Sequence, residues 1–215
     1  MKKILLSTAY FPPVQYVSIF FSTYPVVMER HEHFCKQSYR NRCTIQTANG
    51  LLDLVIPVVR TAQPKTLITE QPIAYDTPWQ KLHFKAIESA YRKSPFYEYY
   101  IDDLMPFFTR RYPYLYDFNM QIMQTVCRIA RLPFAISESE AYERNPVDTL
   151  DLRTGIHPKK SRQIDSENFV PTPYTQVFAV KFGFQPHLSI LDLLFNMGSD
   201  AITVLKPSKN EIKLK

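Results

Sequence analysis

The sequence predicts an α/β fold: a mixed sheet that opens with a βαβ unit, an antiparallel hairpin at about residues 44–58, and a helical middle segment. Three observations carry this. Ile4-Leu5-Leu6 and Val26-Val27-Met28 are short apolar runs of the kind that buried strands show, and residues 14–21 between them have room for a crossover helix. Ala48-Asn49-Gly50 then separates two β-prone runs, 44–47 and 51–58, and Asn-Gly tolerates the positive φ of a tight turn. Finally, Leu115, Phe118, Ile122, Val126 and Ile129 recur at helical spacing.

In chain order, the first strand stops at Tyr10-Phe11-Pro12-Pro13, and the second leads into HEHFCKQSYRNRC, residues 31–43. That stretch reads as a cationic loop at the entrance to a buried hairpin. In parallel sheets ligands gather at the carboxyl ends of strands, here residues 8–10 and 29–33. Thr77-Pro78-Trp79-Gln80 has the form of a helix start, with Thr77 as N-cap and Gln80 completing a capping box. This helix runs to about Lys93, and a second, 96–104, stops at Pro106. After the helix of 114–131, Phe134-Ala135-Ile136 reads as a strand that delivers Ser137-Glu138-Ser139 to its carboxyl end. Residues 140–175 are polar and proline-bearing, and read as a long loop or lid that carries Lys159, Lys160 and Arg162. Residues 177–180 read as a strand. Leu188 to Gly198 reads as a helix capped by Ser189, with Asp192 at its third position and Gly198 closing it. Residues 202–205 read as a last strand before a basic tail.

Composition limits what the chain can do. At 215 residues and 45% apolar content it can bury a full core. Only 4 glycines are present, all isolated, which argues against glycine-rich phosphate and dinucleotide loops. The net charge of +6 favours an anionic partner. The charge is dispersed, however, and no basic–aromatic motif of a known module appears, so nucleic acid is not expected. Three cysteines suit a reducing compartment better than a disulfide framework. Met1-Lys2-Lys3 and the following apolar residues are interrupted by Pro12 and Pro13 before a signal peptide forms, and no apolar run reaches the ~20 residues of a membrane span. A cytoplasmic location is expected.

Several residues suggest chemistry. His31, His33 and Cys35 alternate, so on a continued strand they would share a face and could bind zinc. No fourth ligand follows at a familiar spacing, and no metal or cofactor is expected. Trp79, His83 and Ile87 share one helix face, which makes His83 an imidazole on an apolar surface. Such a histidine is either a satisfied core residue or a base whose ring burial keeps neutral. Arg40 and Arg42 would face the same side of a strand as planar forks for phosphate or carboxylate, with Lys36 as a point charge.

Over nearly its full length the chain resembles the WbqC-like proteins of bacteria. The matching residues are Ala9-Tyr10-Phe11-Pro12-Pro13 with Tyr16, His31-Glu32-His33, Lys36-Gln37, Tyr39-Arg40-Asn41-Arg42, Asn49-Gly50, Ile56-Pro57-Val58, Trp79 with His83, Tyr91, Ser94-Pro95-Phe96, Tyr174, Gln176 and residues 186–198. Other branches carry Gln-Pro and a following Trp-Gly where this chain has Ala9 to Pro13. The resemblance implies one domain over 1–215 and a place in surface-polysaccharide (O-antigen) biosynthesis, where transfer of glycine or another aminoacyl group has been proposed. A non-catalytic scaffold of the same pathway is the alternative. The partner expected is an anionic small molecule, either a nucleotide-sugar or an activated amino acid. His83 is expected as general base, with His33 and His31 as competitors. Tyr10, Lys36, Arg40, Asn41, Arg42, Trp79 and Gln176 are expected around the substrate.

Overall fold

The computed structural model describes residues 2–61, 65–159 and 171–206. The apolar runs form the centre of a parallel sheet. β1 (Lys3–Ser7) pairs in parallel with β2 (Val26–Glu29), and α1 (Val14–Ser18) with one further 3-10 turn makes the crossover. Burial of every β2 residue explains why the run is continuous rather than alternating. β5 (Ile136–Glu138) pairs in parallel beyond β2, and β6 (Thr149–Asp151) on the far side of β1, giving the order β5-β2-β1-β6. β6 lies inside the stretch read as a loop or lid. The other residues of interest there, Lys160 and Arg162, lie outside the described residues, as does the tail beyond Lys206.

The hairpin forms where Asn-Gly implied it, from β3 (Arg42–Thr47) and β4 (Gly50–Val55), with Thr47 opposite Gly50. It is a sheet of its own, so parallel and antiparallel pairing are divided between two sheets. Cys43, Ile45 and Leu54 share one face and point into the core; on the other face Leu51 and Val55 are exposed while Gln46 is buried, and Leu52 is exposed near the turn.

The helical middle consists of α2 (Trp79–Tyr91), α3 (Tyr97–Leu104), α4 (Pro106–Thr109) and α5 (Leu115–Ile129). Two details of its punctuation differ from the sequence reading. Thr77 and Gln80 form no capping box. Instead the Gln80 amide donates to the carbonyls of Phe107 and Arg110, at 2.8 and 2.6 Å, tying α2 to α4. Pro106 does not simply end a helix; it opens α4, where its missing N–H costs nothing.

The C-terminal strands are both helices. α6 (Ala179–Phe182) replaces the first, because Gln176 bonds Gln185 through both amide atoms and closes the chain between them into a loop. α8 (Ala201–Leu205) replaces the second. Its buried residues Ala201, Val204 and Leu205 fall at i, i+3 and i+4, the period of a helix rather than a strand. Between them α7 (Ile190–Met197) is buried on all sides through Asn196. Ser189 caps it, accepting from Leu191 N–H, but Asp192 takes no part in the cap and accepts from the Tyr174 hydroxyl at 2.9 Å.

Gly198 ends α7 at φ +57°, and a Cβ there would lie 2.6 Å from the Phe96 ring. Both facts require glycine. Gly198→Ala is expected to lower the urea midpoint by the equivalent of about 1–3 kcal/mol. An unchanged midpoint would show that the ring and backbone relax freely.

Candidate functional site

The strand order decides where a ligand has room. From β1 the chain crosses to β2 and on towards β5 in one direction, while β6 lies on the opposite side of β1. The strands flanking a reversal leave a crevice at their carboxyl ends. A cleft of about 820 Å³ lies at this end of the sheet, lined by residues 32–37, Arg40, Lys65, Tyr142, Arg144, Asp151, Arg153 and Thr154. Asp151 is the last residue of β6.

The cleft floor is a buried ionic lattice. Arg40 meets Glu32 through two parallel hydrogen bonds, with Nε donating to Oε1 at 2.7 Å and Nη2 to Oε2. Nη2 also donates to Ser7 Oγ, at the end of β1, at 2.6 Å. Burial opposes the Arg40 charge, but the Glu32 hydrogen bond and charge outweigh it and hold its pKa above the ordinary guanidinium value. Arg153 performs the matching task on the other side. It chelates Asp151, reaches Glu29 Oε2 at the end of β2 at 3.2 Å, and donates to the Glu143 carbonyl at 2.9 Å. The hydrogen bond it donates to Asp151 raises its pKa, and burial opposes that rise. Glu29 in turn accepts from Ser139 Oγ and His31 N–H, each at 2.7 Å. Ser7, Glu29 and Asp151 thus anchor three parallel strands to the loops above them.

The residues expected to meet substrate are divided among several places. His33, Lys36 and Arg40 line the cleft. Lys36, Asn41 and Arg42 line a second one of about 570 Å³, which shares Phe34, Lys36 and Gln37 with the first. Arg40 lies in a turn and not on a strand, so it does not share a face with Arg42; that side chain pairs with Asp53 of β4 at 3.2 Å. His31, His33 and Cys35 likewise do not alternate along a strand, since β2 ends at Glu29, and His31 Nε2 lies 3.1 Å from the Ser139 carbonyl. Among the described residues no group of three His, Cys, Asp or Glu side chains is placed to hold a metal ion. Cys35 is exposed at the cleft wall, whereas Cys43 and Cys127 are buried.

Tyr10, Trp79 and His83 belong to the core. The Trp79 indole donates to the Ala74 carbonyl at 3.0 Å, and its ring meets His83 edge-on at 5.1 Å. His83 is 6% exposed; its Nδ1 lies 3.0 Å from the Tyr10 hydroxyl, and the ring also bonds the Val55 backbone. A neutral ring can accept the Tyr10 O–H at Nδ1. Burial pushes its pKa down to about 4, although the Val55 bond favours the charge. Burial thus favours the neutral ring, but its contacts, the Tyr10 hydroxyl and the Val55 backbone, both lie within the protein. Gln176 is buried and bonded to Gln185, outside both clefts.

The model of the WbqC-like protein family matches residues 8–204, which contain both clefts and the whole helical middle. The chain belongs to the WbqC-like family. An uncharacterised protein of Mycobacterium tuberculosis is 24% identical over an alignment of 236 residues, covering 96% of this chain and 98% of that one. No solved structure matches significantly. Among the described residues of this WbqC-like chain, no helix is long and apolar enough to cross a membrane.

Arg153, Asp151, Tyr142 and Arg144 were not singled out by sequence reasoning, whereas Glu29 fell in the expected strand end 29–33. The available signal was slight: Leu150 and Leu152 alternate with Asp151 and Arg153, a short period-two pattern in an otherwise polar stretch.

The lattice and the core histidine each generate a test. Arg40→Met leaves Glu32 buried and unpaired, and is expected to cost about 3–5 kcal/mol in denaturant unfolding. A loss below about 1 kcal/mol would mean that the pair is not buried in solution. For His83, the unfolded pKa near 6.5 exceeds the folded value of about 4. The unfolded chain therefore takes up the proton first, and stability falls as pH drops from about 6.5 to 4 and levels off below. Unfolding midpoints measured across that window should show this slope in the wild type and not in His83→Gln.

Proposed function

We propose that the chain is a transferase of bacterial surface-polysaccharide biosynthesis, which takes a phosphate-bearing activated donor in the cleft above β1 and β6 and passes its sugar, glycyl or other aminoacyl group to a sugar acceptor. One observation carries the reading: the cleft at the sheet's reversal point is lined by Lys36, Lys65 and Arg144, none of which forms an ion pair with another described residue. Arg40 and Arg153, already neutralised by carboxylates, add little net charge, so the three unpaired cations set the field that a phosphate meets. Family membership and the resemblance to polysaccharide-locus proteins support the pathway.

In this reading the acceptor's oxygen or nitrogen attacks the activated carbon of the donor. The bond from that carbon to the phosphate oxygen breaks, and the phosphate leaves with the electron pair, stabilised by the lysines and Arg144. The acceptor proton passes to His33. His33 is the histidine that suits the task, because it is exposed on the cleft wall, whereas His83 is enclosed and His31 is bonded to Ser139. The second cleft, reached across the 34–37 turn, supplies room for the acceptor next to Asn41 and Arg42.

Mass spectrometry of the polysaccharide repeat unit tests the proposal. Deleting the gene should remove one aminoacyl or sugar mass, and complementation with wild-type protein should restore it. His33→Asn, tested as folded protein with an unchanged melting temperature, should transfer about 10²–10⁴ times more slowly. An unaltered glycan in the deletion strain would favour the scaffold reading, and full activity of His33→Asn would remove the base from this residue.

A further inference from the structure

The first cleft contains more than cations. Tyr142 lines it and is 53% exposed, a large fraction for an aromatic residue in a protein whose other rings largely fill the core. The ring is held by one guanidinium. Arg153 Cζ lies 4.8 Å from the Tyr142 centroid, covering one face, while the same side chain donates to the Glu143 carbonyl at 2.9 Å and reaches the Arg144 carbonyl at 3.5 Å. Arg153 is itself fixed by Asp151 and Glu29, so the segment 142–144 is clamped to the sheet's carboxyl edge. A single buried residue therefore sets the position of an open aromatic ring and that of the Arg144 backbone beside it. This is preorganisation of two different kinds of contact, one planar and apolar, the other cationic.

We infer that the donor is a nucleoside diphosphate derivative, with its base stacked on the open face of Tyr142 and its phosphates between Lys36, Lys65 and Arg144. The inference rests on the transferase reading and specifies its donor. A bare phosphate would need only the cations, and a small acyl phosphate would leave most of the 820 Å³ unused. A ring flanked by a guanidinium on one face and a base on the other forms a three-layer stack, in which the base gains contact area without a sequence-specific hydrogen bond. The stack tolerates purine or pyrimidine, so base identity is selected weakly by Tyr142 itself. The phosphates, not the base, account for most of the salt dependence.

Calorimetric titration of the full chain with UDP, ADP and inorganic pyrophosphate decides the matter. At least one nucleoside diphosphate should bind about tenfold or more tightly than pyrophosphate. Tyr142→Ser should bring that nucleotide down to the pyrophosphate level and leave pyrophosphate unchanged, and Tyr142→Phe should behave as wild type. Equal affinity for pyrophosphate and both nucleotides, or an unaltered Tyr142→Ser, would overturn the stacking inference while leaving an anionic donor in place. If pyrophosphate and the nucleotides all fail to bind, the anion cleft itself is refuted. Melting temperatures of both variants, expected near wild type for so exposed a ring, separate loss of stacking from loss of fold.

Discussion

A guanidinium taken out of water must find its full complement of acceptors or it unfolds its surroundings. That requirement organises the carboxyl edge of this sheet twice. Arg40 brings the loop after β2 down onto Ser7 and Glu32, and Arg153 brings the segment after β6 across to Glu29. Both side chains are almost wholly buried, and each connects chain segments far apart in sequence. The parallel strands supply three carboxyl ends at one edge, and the two arginines turn those ends into a floor.

The same accounting separates two classes of cation in one cleft. The arginines that carry paired charge are rigid and electrostatically quiet, and the charges left over sit on Lys36, Lys65 and Arg144 around them. A site built this way keeps its shape whether or not an anion is bound, because shape and attraction come from different residues. It also explains why the basic residues of 36–42 do not act as one clamp: adjacent in sequence, they point to a buried pair, a hairpin partner and open solvent.

Much of the frame was legible from the sequence. Continuous apolar runs gave β1 and β2, Asn49-Gly50 gave the turn, and the period of 115–129 gave α5, since each signal is local and strong. β6 was not legible. It is three residues long, holds one apolar side chain and exists because β1 offers an edge to pair with. Without it the order of strands has no reversal, so the cleft position and Arg153 could not be found either. Residues 31–43 read as the richest chemical stretch, but which of them pair was not legible: Arg40 turns to Glu32 and Ser7, Arg42 to Asp53, and His31 to Ser139, 108 positions away. For His83 the apolar face was evident from spacing, whereas the Tyr10 hydroxyl that takes up its Nδ1 is brought there only by the packing of the Tyr10-Phe11 turn against α2 and α5.

The thiols of this chain are unequally placed. Cys43 and Cys127 are enclosed, and burial raises both pKa values, that of Cys127 to about 12, so at neutral pH neither is a nucleophile. Cys35 stands in water at the wall of the first cleft, its Sγ 3.6 Å from the Lys36 carbonyl. An alkylating fluorophore would therefore modify the native protein at a single position, without mutagenesis. That dye would stand at the cleft wall, so the unaltered sequence already carries a place for an optical reporter of whatever anion the cleft takes up.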